Sequence, residues 1–159
     1  MTSHSRFLSR AAVAVALGAV LGSSSVSASL GGAATSVQDD RVHMQGSLRQ
    51  ISGGPAYSMH ELQSATGTVV REYVSPTGTV FAVSWDGPAF PDLRQLLGPY
   101  FDRFQAEAAR LKHARRGHGP LTVDLGDVVV QSGGHPRSFS GRAYLPQMMP
   151  AGVKAESIR

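Results

Sequence analysis

Cysteine is absent from all 159 residues. That absence excludes a disulfide framework, thiolate zinc sites, iron–sulfur clusters and a thiol nucleophile. It also excludes the cysteine through which a bacterial lipoprotein is anchored. Motifs of common chemistries are missing too: no G-x-S-x-G elbow, no phosphate-cradling Walker A loop and no H-E-x-x-H zinc pair. The sequence therefore predicts no catalytic, metal-ligating or cofactor-binding residue. No apolar run reaches the roughly 18 residues that mark a membrane-spanning helix. What the chain does have is a basic balance, with 15 Lys and Arg against 11 Asp and Glu and a net charge of +4.

Part of that charge sits in the first 28 residues, which have the three parts of a secretory signal. Arg6 and Arg10 form a positive start without acids, and Ala11 to Gly22 is a run of Ala, Val, Leu and Gly. Val26 and Ala28 then stand in the small-residue −3/−1 positions of a signal-peptidase site. A run of about 12 residues covers only about 18 Å of a roughly 30 Å hydrocarbon core, too little for a span. No Arg-Arg pair precedes the run, which favours the general secretory route over the twin-arginine route. Cleavage after Ala28 leaves 131 residues, with 13 basic and 11 acidic side chains and a net charge of +2. An exported, nearly balanced protein is a poor candidate for nucleic-acid binding.

Residues 29–159 are expected to form one α+β domain with its core at about 46–145. Leu30 to Ala34 reads as a flexible lead-in. Ser36 with Asp39 and Asp40 suggests a short helix over about Val37 to Gln45. After the breaker Ser52-Gly53-Gly54-Pro55, three segments read as strands: Tyr57–Leu62, Thr68–Val74 and Val80–Trp85. Gly67 and Ser75-Pro76-Thr77-Gly78 supply the turns. Simple alternation puts Phe81, Val83 and Trp85 on one face.

From Pro91 the period changes. Leu93, Leu97, Tyr100, Phe104, Ala108 and Leu111 follow helical three-and-four spacing. Gly98-Pro99 splits the pattern into a short and a longer helix, the latter ending at Arg115-Arg116-Gly117. Alternation returns in Leu121–Val123, Val128–Gln131 and Ser138–Tyr144. The tail from Pro146 to Arg159 is expected to be extended or frayed. The order βββ–α–βββ predicts an antiparallel sheet of two three-stranded meanders with one main amphipathic helix packed on a face.

Several stretches are distinctive: Val70 to Val83, Trp85-Asp86-Gly87-Pro88 continuing through Pro91 to Gly98, Gln131-Ser132-Gly133-Gly134 and Gly141-Arg142-Ala143-Tyr144. With these the chain resembles the exported bacterial family known as domain of unknown function 2844, over about Leu30 to Val153. The resemblance implies a short exported protein and carries over no activity and no catalytic residue.

The remaining candidates are contact residues. His113 and His118 flank a helix end without an intervening carboxylate, and read as a surface pair. His60 and Glu61 point to opposite faces of one strand. Asp124 and Asp127 flank a hairpin turn, where Asp bonds the backbone. Arg115 and Arg116 complement the helix dipole, and could also meet an acidic glycan, a headgroup or a protein. Arg71 and Tyr73 share one strand face as a polar, aromatic patch. Trp85 is a core anchor against Leu93 and Leu97 or, if exposed, a contact hot spot. Met148 and Met149 form a strap over the sheet or a soft partner-binding segment. These features suit a small binding or accessory module of the periplasm or cell surface, with an envelope protein or acidic glycan as partner. The alternatives are a hydrolase-like enzyme with an unrecognised site and a small inhibitor or chaperone-like factor. A concavity gathering two or more of His60, Arg71, Asp124 and His135 would favour the enzyme.

Overall fold

A computed structural model of the chain describes residues 29–33, 47–52, 55–114 and 119–159. The helix expected over about 37–45 lies outside these residues, as do residues 1–28. Among the described residues seven strands form one antiparallel sheet: β1 Ser47–Ser52, β2 Ser58–Gln63, β3 Val69–Val74, β4 Val80–Gly87, β5 Leu121–Asp124, β6 Val129–His135 and β7 Ser138–Tyr144. The spatial order is β1-β2-β3-β4-β7-β6-β5. The first meander therefore joins the second through its last strand, β4 against β7, and β5 lies at the far edge. The α+β class and the two meanders stand as expected. β1 is an addition, an edge strand that extends the first meander to four.

Between β4 and β5 the chain forms α1 (Leu93–Leu97), a 3-10 turn over Gly98–Tyr100, and α2 (Phe101–Ala114). Asp92 caps α1, its Oδ1 accepting from the N–H groups of Arg94 at 2.9 Å and Gln95 at 3.2 Å. Gly98, at φ +50°, turns the chain as the Gly-Pro pair predicts. The helices lay Leu96, Leu97, Phe104 and Ala108 on one sheet face, against Val70, Val83, Trp85, Val123, Val130 and Ala143. Leu93, Tyr100 and Leu111 are partly buried against this core.

Three expectations need correction. Leu30 is fully buried in the main core, so the lead-in is not a flexible one. Its N–H bonds the Leu96 carbonyl at 2.9 Å, Gly31 N–H bonds Val80 O at 2.8 Å, and Ala33 bridges Thr79. Second, Phe81 does not share a face with Val83 and Trp85. The β3–β4 register jumps from Tyr73↔Ala82 to Val74↔Val80, a bulge that leaves Phe81 unpaired. Phe81 thereby joins Tyr73 and Ala82 on the face away from the helices.

The third correction concerns the tail. It folds back onto that second face through 3-10 turns at Pro146–Met148 and Ala155–Ser157, and Ile158 is 1% exposed against Tyr73, Phe81 and Ala82. Burying such a side chain contributes about 1.5–3 kcal/mol. The core thus reaches Leu30 at one end and Ile158 at the other, beyond the expected 46–145.

Candidate functional site

Residues directly opposite in an antiparallel ladder share a face. One such row crosses the sheet on the side away from the helices: Glu61, Arg71, Ser84, Arg142, Gln131 and Thr122. Arg71 Nε donates to Glu61 Oε2 at 2.9 Å, an ion pair about one quarter exposed on each side. Arg142 Nε donates to Gln131 Oε1 at 2.7 Å. Between the two arginines lies Ser84, 1% exposed, whose Oγ has no hydrogen-bond partner among the described residues.

The tail is held onto this row. Arg142 Nη1 donates to the Ala155 carbonyl at 2.6 Å and to the Ile158 carbonyl at 3.3 Å. The Tyr73 hydroxyl donates to the Arg159 main-chain oxygen at 2.7 Å and accepts from the Arg159 N–H at 2.9 Å. Tyr73 itself is fixed by ring contacts to Tyr57 at 5.6 Å and Phe81 at 6.3 Å. Among the described residues the Arg159 guanidinium is anchored by one bond, Nε to the Glu156 carbonyl at 3.1 Å.

A groove of about 680 Å³ opens beside this strap. Its charged lining is Arg71, Arg142, Arg159 and Asp86, and its neutral polar lining includes Thr122, Gln131, Ser132 and Ser140. Gly133, Gly134 and Gly141 thin the wall. The groove lies within the roughly 300–1,000 Å³ of small-ligand sites. Its three arginines give it the character of an anion site, because a guanidinium offers a planar fork of donors that stays charged at any physiological pH.

The sequence-level candidates scatter over the molecule. Arg71 lines the groove, and Tyr73 is buried beneath the tail. Trp85 is 1% exposed in the main core, so it is no exposed hot spot, although it reaches the groove wall beside Gly141. Its Nε1 has no acceptor among the described residues. Met149 packs against the tail cluster, whereas Met148 is 46% exposed. Arg115 and Arg116 lie outside the described residues. Of His60, Arg71, Asp124 and His135, the groove gathers Arg71 alone. Asp124 Oδ1 instead accepts from Gly126 N–H at 2.8 Å, closing the hairpin turn. Asp127 receives a two-pronged pair from Arg103 at 2.7 and 3.0 Å.

Sequence reasoning missed Arg142, Arg159 and Ser84. Arg142 alternates in a strand like any surface cation, and only the β4–β7 register places it across Ser84 from Arg71.

Among the described residues no three His, Asp or Glu side chains gather as metal ligands, and no helix is long and apolar enough to cross a membrane. No curated protein and no solved structure matches the chain. A family match does, spanning residues 26–158 and so covering both meanders, the helices and the tail. The chain belongs to the family described as protein of unknown function (DUF2844).

Proposed function

We propose that this chain is an exported binding module that works in the periplasm or at the cell surface. Its contact surface is the sheet face away from the helices, and its partner is an envelope protein or an acidic glycan. The observation that carries the reading is the arginine-lined groove on that face, built from five strands and the tail rather than from one exposed loop. Export is supported by the charged start, the short apolar run and the small residues at Val26 and Ala28. The family match begins at residue 26, so most of this address lies outside the shared domain.

Two measurements test the reading. The exported protein should begin at Ser29; a soluble exported form that keeps residues 1–28 would contradict the address. The tagged protein should capture a specific component of its own cell envelope, and Arg71→Gln with Arg159→Gln should abolish that capture. Capture that ignores both substitutions would remove the groove from the contact surface.

A further inference from the structure

We infer that the groove binds a carboxylate-bearing sugar, a uronic acid, with Arg71 and Arg159 as the carboxylate-gripping pair; this rests on the sheet face being the contact surface. Arg71 spends Nε on Glu61 and Arg159 spends Nε on the Glu156 carbonyl. The two Nη atoms of each have no hydrogen-bond partner among the described residues. Arg142, with Nε and Nη1 committed to Gln131 and the tail, keeps only Nη2. Two partly anchored guanidinium groups on one groove are pre-oriented, so little side-chain freedom is lost when an anion arrives.

Charge and polarity select the ligand class. Three arginine charges face Glu61, which already answers Arg71, and Asp86 in the groove wall. The free guanidinium forks of Arg71 and Arg159 match one planar carboxylate, and Asp86 beside them disfavours a doubly charged phosphate. Thr122 and Ser140 add hydroxyls suited to the ring hydroxyls of a sugar. An extended peptide would need unpaired main-chain groups to add as a strand. Most of the groove instead lies over β6 and β7, interior strands whose main-chain groups are already taken by their neighbours, and only Leu121 and Thr122 of the edge strand β5 reach it.

The test is titration calorimetry on the protein purified as its cell produces it. The probes are trigalacturonate, its neutral trigalactose counterpart, monomeric galacturonate, inorganic phosphate and triglutamate. Trigalacturonate should bind at least tenfold more tightly than the neutral trisaccharide, phosphate or triglutamate. Arg71→Gln and Arg159→Gln should each weaken it about tenfold, with circular dichroism confirming the fold. Arg159→Lys keeps the charge without the fork and should recover only part of the loss. Monomer binding as tight as the trimer identifies a free sugar acid as the source, and weaker monomer binding identifies a glycan chain. Equal binding of acid and neutral sugars, tighter binding of phosphate or triglutamate, or full affinity in both Gln variants overturns the assignment. If it fails while envelope capture still depends on Arg71 and Arg159, the ligand class falls and the contact surface stands. If capture is also indifferent to them, both fall.

Discussion

The indole of Trp85 occupies the space that a side chain on Gly141, its partner across β4 and β7, would need. A Cβ on Gly141 would meet Cζ2 of the ring, lie 2.5 Å from Cε2 and lie 2.6 Å from the Gln131 carbonyl oxygen. The largest buried side chain of the core is thus accommodated by the absence of another one.

Gly141→Ala should accordingly destabilise the fold by roughly 1–3 kcal/mol through overpacking, because neither the rigid ring nor the main-chain oxygen can swing aside. Urea unfolding should show a lower midpoint with an unchanged slope. An unchanged midpoint would show that the indole has room to shift.

Tyr73→Phe removes one hydroxyl and with it both bonds to Arg159. About 1–2 kcal/mol of stability should be lost at the net worth of such bonds. Amide exchange should rise in residues 155–159 and leave β3 protected. Exchange in the tail equal to that of the wild type would mean that Arg142 and Ile158 hold it unaided.

His60 gives the fold a pH dependence of definite sign. Burial holds its pKa below the ordinary value of 6.5. It faces Glu72 across β2 and β3, and its Nδ1 has no partner among the described residues. The unfolded chain then binds a proton more readily than the folded one, so stability falls as pH drops below about 6.5 and levels off below the lowered folded value. Asp127 and Glu107, held low by Arg103 and Arg110, contribute stability that is lost only at more acid pH, below their ordinary 3.8 and 4.5. His60→Gln should flatten the stability profile between pH 7 and 5 and leave the more acid limb in place. A mutant profile with the original slope in that window would remove His60 as its cause.

The legible parts of this fold are those where one residue type or one period decides. Gly98-Pro99 breaks the helix because Pro99 has no N–H to continue it and Gly98 takes a positive φ. Runs of β-branched and aromatic residues mark β3 and β4, because both bury side chains on both faces. β1 escaped because Leu48 and Ile51 are three apart and break the period of two. Phe81 was misplaced because a bulge shifts parity without leaving a compositional trace. Arg71 was visible as a candidate. Its partners in the groove were not, because they belong to β7 and the tail, and neither register nor tail docking is encoded at short range. Ile158, one apolar residue in a polar, Pro-interrupted tail, offers no pattern from which its burial could be read.

The pairing of β4 with β7 also sets a timetable. As the chain is delivered from its N-terminus, β1 to β4 can zip by successive hairpins as soon as they emerge. The next strands made, β5 and β6, have no place in the sheet until β7 arrives to bridge them. Meanwhile β4, with six consecutive residues from Val80 to Trp85 destined for burial, presents an open edge. An edge of that length and apolarity is a template for pairing with another chain. A chain truncated before Ser138 therefore folds into a half-sheet whose most adhesive strand is uncovered.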